Sequence, residues 1–230
     1  MDLTKDGILL IDKPQGWTSF DVVAKIRGMR RAAFKAQGIA PTKRQLRVGH
    51  AGTLDPFATG LLIILLGDAT KRSDEFLKQD KTYEATITLG ATSSTGDPEG
   101  ELTMLSAETP TEEAVQAALG RFTGPITQIP PAYSAVKING QRAYKLARKG
   151  QDVEIPARQV TVHSLEAISY AYPELKIRTH VSSGTYIRSL AQDIGEALGT
   201  GAYCSELRRT IIGGQTIQHA TTIDDVVTID

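Results

Sequence analysis

The sequence predicts an α+β fold: a mixed, largely antiparallel sheet with flanking helices. Three observations predict it. Strand-like and helix-like runs interleave without the regular strand–helix–strand alternation of a parallel sheet. Two alternating runs, Val160–Tyr170 and Glu174–Val181, read as paired strands around Tyr172-Pro173. The composition, 40% hydrophobic and 23% charged, is that of a globular chain rather than a disordered one. No internal repeat, low-complexity tract or Pro/Gly/Ser linker divides the sequence, which predicts one domain over 1–230 with 125–155 as a protruding insertion.

The elements follow in order. Gly7–Ile11 reads as a short buried strand ended by the turn chemistry of Lys13-Pro14-Gln15-Gly16. Thr18 and Asp21 have capping-box spacing and start a helix. Val22, Ile26, Met29 and Ala33 form its apolar stripe, and Arg27, Arg31 and Lys35 point the other way. Residues 37–47 form a basic loop. Leu61–Leu66 reads as a buried strand, Thr82–Leu89 as a half-exposed one, and 91–98 as a loop. Thr111–Leu119 is a short helix, 125–138 is extended around Pro130-Pro131, and Gln141–Lys149 is a basic helix closed by Gly150. A helix over Thr185–Leu198 turns Ile187, Leu190, Ala191, Ile194 and Leu198 inward and stops at Gly199. Tyr203–Ile212 is a strand.

Several function classes lose support early. Cys204 is the single cysteine, which excludes an internal disulfide framework and a multi-cysteine zinc module. The four histidines, His50, His163, His180 and His219, are too dispersed for a local metal cluster, which leaves open only a metal site assembled in space. The longest apolar run is the six residues Leu61–Leu66, against the about 20 that a membrane span needs. No signal peptide is readable at the start, so a soluble, cytoplasmic protein is expected. Net charge is zero, yet its distribution is uneven. Residues 1–60 carry ten Lys and Arg against five Asp and Glu, and 137–160 carry six against two. Lys25 to Arg47 holds eight basic residues and no acidic one, which fits either a phosphate backbone or a solvated helix face and loop.

Two stretches could carry chemistry. Gly49-His50-Ala51-Gly52-Thr53-Leu54-Asp55-Pro56-Phe57-Ala58-Thr59-Gly60 is the first. Pro56 biases Asp55 toward extended backbone, so the carboxylate sits on a stiff loop before a buried strand. It is either a directed catalytic group or an ordinary Asp-Pro turn. No phosphate-loop or dinucleotide fingerprint is present, which disfavours nucleotide-triphosphate chemistry. The second is Val181-Ser-Ser-Gly-Thr-Tyr-Ile-Arg188, where Arg188 enters the first turn of a helix. A helix N-terminus disfavours a cation, so Arg188 makes sense beside a carboxylate; the alternative is a surface arginine. Tyr83 reads as an ordinary cross-strand aromatic, His50 as a packed loop residue rather than a catalytic one, and the segment 130–137 as a loop contact to a base or a packed turn. Leu207-Arg208-Arg209 reads as a strand end with two phosphate contacts or as a solvated edge. No Ser-His-Asp order or paired-carboxylate spacing supports a hydrolase.

Taken together, these segments resemble the TruB-type tRNA pseudouridine synthases. The resemblance rests on Gly7-Ile-Leu-Leu-Ile-Asp-Lys-Pro14 with Trp17-Thr18-Ser19, Val48-Gly-His-Ala-Gly-Thr-Leu-Asp-Pro56 and Lys81-Thr-Tyr83. It extends through Gln128-Ile-Pro-Pro-Ala-Tyr-Ser-Ala-Val-Lys137, Gly184-Thr-Tyr-Ile-Arg188 and Leu207-Arg-Arg-Thr210. Six pieces in family order make coincidence implausible.

The resemblance implies a pseudouridine synthase-like fold and an enzyme that isomerises uridine to pseudouridine in the T-loop of tRNA, with base flipping. The reaction breaks the uracil N1–C1′ bond and rejoins the base through C5, so it implies no cofactor and no metal. Asp55 falls on the catalytic aspartate. It can attack uracil C6 or the sugar C1′, or act as a base in a glycal-type path. His50 falls on an RNA-contacting histidine, Tyr83 on the tyrosine that stacks on the target base, and Tyr186 and Arg188 on active-site residues. Arg188 is thereby the ion-pair partner of the aspartate. Leu207 falls on an apolar residue of the uracil pocket, and Lys13 and Pro14 on a motif that shapes the site from beneath. Segment 125–155 resembles a thumb-like insertion that grips the T-loop. The family's usual C-terminal RNA-binding domain, PUA-like in type, is not readable before Asp230. A monomer binding the T-arm of tRNA without protein partners is implied. The readings kept beside it are an RNA-folding chaperone of the tRNA elbow and a synthase with another RNA target.

Overall fold

The computed structural model describes residues 2–106, 108–134, 136–138, 140–147 and 154–227. Along the chain, β1 (Gly7–Lys13) leads to α1 (Ser19–Ala36), β2 (Val48–His50) and β3 (Thr59–Leu66). A 3-10 turn (Gly67–Arg72) and the short α2 (Ser73–Leu77) precede β4 (Lys81–Leu89). A hairpin of β5 (Ala91–Ser93) and β6 (Leu102–Met104) is followed by α3 (Glu112–Arg121) and β7 (Gly124–Gln128). Then come β8 (Lys137–Ile138), β9 (Gln141–Arg142), α4 (Ala143–Ala147), β10 (Arg158–Ala171), β11 (Glu174–Val181), α5 (Ile187–Ala197), β12 (Ala202–Ile212) and β13 (Gln215–Thr216). The fold is α+β with a largely antiparallel sheet and flanking helices, as the sequence predicts. Among the described residues, no helix is long and apolar enough to cross a membrane.

The chain forms two compact units. The first comprises Met1–Lys81 with Arg208–Asp230, and the second Thr82–Leu207. The chain crosses between them inside β4 and returns inside β12.

In the first unit, β3 pairs antiparallel with β1 and with β2, and parallel with the end of β12. The run Leu61–Leu66 is fully buried because both its faces are covered. Leu62, Ile64 and Leu66 point to the side of α1, where they join Leu9, Ile11, Val22, Ile26 and Val48. Leu61, Ile63 and Leu65 point the opposite way, toward Ala51, Phe76 and Ile212. α1 begins at the expected capping box: the Thr18 hydroxyl accepts from the Asp21 N–H, and the Asp21 carboxylate accepts from the Thr18 N–H. Val22 and Ile26 are buried and Met29 and Ala33 pack on the same cluster, so the predicted stripe is the observed one.

In the second unit, strand order runs β12-β4-β11-β10-β7. β10 pairs antiparallel with β11 and with β7, and the first of these is the hairpin expected around Tyr172-Pro173, whose peptide is cis. α5 buries Ile187, Leu190, Ala191 and Ile194, while Leu198 is half-buried at its cap.

The structure revises three local readings. The predicted loop 91–98 opens with strand β5, too short for its alternation to show in sequence. Gln141 and Arg142 belong to a hairpin with Lys137 and Ile138, so the predicted basic helix starts at Ala143; Lys149 and Gly150 lie outside the described residues. The third concerns the basic run. Arg30 is fully buried, donates to the carbonyls of Leu3, Lys5 and Gln45, and pairs with Asp6 at 2.7 Å. It therefore contributes nothing to an exposed cationic face.

Candidate active site

Asp55 lies on the loop between β2 and β3 in the first unit, half-buried. Buried polar groups hold this loop from three sides. From β1, the Lys13 ammonium is fully buried and donates to the carbonyls of Pro14 (2.8 Å), Trp17 (2.7 Å) and Pro56 (3.4 Å). The Gly16 N–H donates to the same Pro56 carbonyl at 2.8 Å. From α1, the Ser19 hydroxyl accepts from the Leu54 N–H at 2.9 Å and donates to the Leu54 carbonyl at 3.1 Å. From β12, the guanidinium of Arg209, 1% exposed, donates to the carbonyls of Leu61 (2.8 Å), Thr53 (3.3 Å) and Gly52 (3.1 Å). The Asp55 carbonyl itself accepts from the Ala58 N–H at 3.1 Å. The backbone on both sides of the aspartate is thus fixed.

Gly60 makes this arrangement possible. Its φ is +102°, and a Cβ there would come within 2.3 Å of the Arg209 carbonyl oxygen. β3 and β12 approach this closely only because no side chain stands between them. Next to it, Arg208 makes a bidentate pair with Asp12 at 3.0 and 2.7 Å. Arg209 is therefore an internal tie of the first unit and not one of the phosphate contacts offered by the sequence, while Arg208, its side chain 40% exposed, is tied to Asp12. Leu54 and Ala51 are buried on the inner side of the loop, and His50 closes β2, half-buried, three residues after the basic stretch that ends at Arg47.

The buried Lys81 at the start of β4 does similar work. Its ammonium donates to the carbonyls of Phe76, Leu77 and Gln79 and so caps the end of α2. Burial, helped by the nearby positive charge of Arg209, lowers its pKa to about 8.

The other predicted residues lie in the second unit. Tyr83 on β4 and Leu207 on β12 are each 8% exposed. Tyr186 is the residue before α5, and the Gln128 side-chain amide grips its backbone twice, accepting from its N–H at 2.7 Å and donating to its carbonyl at 3.0 Å. The Arg158 guanidinium stacks 4.8 Å above the Tyr186 ring. Arg188 is 3% exposed and sits in the first turn of α5. It donates to the carbonyls of Thr95 (3.0 Å) and Tyr133 (2.7 Å) and pairs with the Asp97 carboxylate at 2.7 Å. A cation at a helix N-terminus thus does have a carboxylate beside it. Asp97, itself 3% exposed, is held by the Thr95 hydroxyl and the Glu99 N–H. Sequence reasoning missed Asp97, although Gly96-Asp97-Pro98 repeats the Asp-Pro signal of residues 55–56.

Comparison with known proteins follows the same residues. Residues 39–187 match the family model of the TruB pseudouridylate synthase N-terminal domain, and 188–229 match that of the tRNA pseudouridylate synthase B C-terminal domain. Fold and family match thus define an enzyme of the pseudouridine synthase class. The tRNA pseudouridine synthase B of Burkholderia mallei (strain NCTC 10247) is 46% identical over 219 residues, covering 95% of this chain and 68% of that protein. That of Cupriavidus metallidurans is 46% identical over 222 residues, covering 96% and 67%. The chain belongs to the TruB family and is a pseudouridine synthase acting on tRNA. Among solved structures, a Cbf5–Nop10–Gar1 complex superposes with a TM-score of 0.72 at 30% identity, covering 99% of this chain and 55% of that one. An H/ACA RNP bound to a substrate RNA containing 2′-deoxyuridine gives 0.67 at 28% identity, covering 98% and 53%. The chain therefore spans about half the length of those two.

Proposed function

We propose that this enzyme converts a uridine of the tRNA T-loop to pseudouridine, with Asp55 as the catalytic carboxylate. The N1–C1′ bond breaks and a C5–C1′ bond forms. The proton leaves C5 and N1 gains one, so nothing is consumed. The observation that carries this reading is the clamped loop: Lys13, Ser19 and Arg209 fix the backbone on both sides of one half-buried carboxylate. Such fixation suits a group that must meet its target at one distance and angle.

A uridine stacked in the T-loop is out of reach and must be flipped out, which costs a few kcal/mol. Tyr83 stacking on the extruded base offsets roughly 1–3 kcal/mol of this. Leu207 lines the pocket for the base, His50 contacts the RNA beside it, and Tyr186 borders it. Arg188 holds the carboxylate of Asp55 in its charged form, with Asp97 fixing the guanidinium. The insertion 125–155 grips the T-loop. The enzyme works as a cytoplasmic monomer on free tRNA. Mapping pseudouridine in total RNA from cells with and without the active gene tests the target. A T-loop uridine that loses its modification supports the proposal, and loss at another position alone rejects it. Rescue of growth by Asp55→Ala would instead favour the chaperone reading.

A further inference from the structure

The first unit contains a second feature that the isomerisation site does not use. A cavity of about 360 Å³ is lined by Arg27, Lys43, Leu46, Arg47, Val48, Gly49 and Thr70. We propose that this cavity is a phosphodiester-binding site that holds one backbone phosphate of the substrate RNA. The inference rests on the reading above that the substrate is RNA, and it adds a defined anchoring point to it.

Three cations converge on one opening. Arg27 comes from α1, Lys43 and Arg47 from the loop that follows it. The Arg27 guanidinium donates one N–H to the Val48 carbonyl at 3.3 Å, which fixes its plane at the cavity edge and leaves further donors for a ligand. None of the three pairs with a carboxylate among the described residues. The acid nearest in sequence to Thr70, Asp68, is engaged by Arg44 and Lys71. The walls at Leu46 and Val48 are apolar and suit the sugar flanking a phosphate, whereas a free metal cation is repelled by all three charges. Two arginines with planar forks are the residues that grip phosphate oxygens in pairs.

Position supports the assignment. Arg47, Val48 and Gly49 of the cavity run directly through His50 into the clamped loop. Gly49 stands six residues before Asp55, about 20 Å of chain at full stretch. A nucleic acid that presents a uridine to Asp55 has phosphates within that reach.

The test compares two variants of equal charge change in the full chain, using unmodified tRNA transcript and a salt series. Arg27→Gln/Arg47→Gln removes two cations from the cavity. Arg31→Gln/Lys35→Gln removes two exposed cations of α1 outside it. The cavity variant is expected to lose tenfold or more in affinity, and its plot of log affinity against log salt to flatten by about 0.7–0.9, the value of one phosphate contact. The control is expected to lose less than threefold. Arg27→Lys/Arg47→Lys should recover the salt slope, which follows charge, but only part of the affinity, because lysine lacks the paired donors. Ethylation of a single RNA phosphate should weaken wild-type binding and leave the cavity variant unaffected. Equal losses in the two variants would mean a diffuse field and no site, and no loss in either would also overturn the proposal. Should the cavity variant fail to fold, Lys43→Gln decides, with about threefold loss for the site and none against it. Wild-type release of tritium from C5-labelled tRNA tests the isomerisation separately, so release together with equal affinities rejects the cavity alone.

Discussion

The basic segment 25–47 and the loop 51–58 lie close together in sequence and use arginine in opposite ways. Behind the loop, the charge of Arg209 is buried and its guanidinium donates to the main-chain carbonyls of Gly52, Thr53 and Leu61. Along the basic segment, Arg31, Lys35, Lys43 and Arg47 are exposed, while Arg30 alone behaves like Arg209. The difference teaches that a cation in the chain of an RNA enzyme has two kinds of partner, the protein's own carbonyls and carboxylates or the ligand's phosphates. Only the first kind builds the site, and only the second kind should respond to salt.

The largest expected effect breaks the buried ties. Arg209→Met leaves the carbonyls of Gly52, Thr53 and Leu61 without their donor, at about 1–3 kcal/mol for each buried group. Urea unfolding should show at least 3 kcal/mol lost, with turnover lowered beyond the folded fraction because the Asp55 loop loosens. Arg30→Met should cost roughly 2–4 kcal/mol by the same argument, yet leave the salt dependence of tRNA affinity unchanged. A shallower salt slope in Arg30→Met would erase the distinction between the two kinds of cation.

A smaller effect sharpens the loop side. Ser19→Ala removes both bonds to Leu54 and should cost about 1–2 kcal/mol, with kcat falling while KM holds. A variant that raised KM alone would move Ser19 from the positioning of Asp55 to the binding of RNA.

The smallest concerns a half-buried acid outside both regions. In α5, burial and the charge of Glu196 raise the Asp193 pKa from 3.8 to about 6. The folded state then holds a proton that the unfolded state has released. The stability from this group is therefore complete below pH 3.8 and is lost as pH rises through about 6. Asp193→Asn should flatten the stability profile between those values and raise the melting temperature slightly at pH 8. An unchanged profile would show that the carboxylate is solvated in the folded state.

Much of this was legible in the sequence, and the reasons differ by element. α1 was legible because Thr18, Asp21 and the Val22–Ile26 spacing are local signals that agree with one another. β3 was legible as buried, but its apolar run hid which residue faces which side. The stiffness of the Asp55 loop was readable from Pro56 and the glycines. What fixes it was not, because Lys13, Ser19 and Arg209 reach it from 43, 35 and 157 or fewer residues away. The burial of Arg30 and the Arg188–Asp97 pair were hidden for the same reason. A charged side chain looks exposed until its partner is brought to it by the fold.

The central claim is that one carboxylate, held on a clamped loop, performs the isomerisation and does little for binding. Tritium release from C5-labelled tRNA transcript by Asp55→Ala, measured beside its tRNA affinity, tests this most directly. The account predicts release at the uncatalysed background with affinity within a few-fold of wild type. Release at the wild-type rate would contradict it.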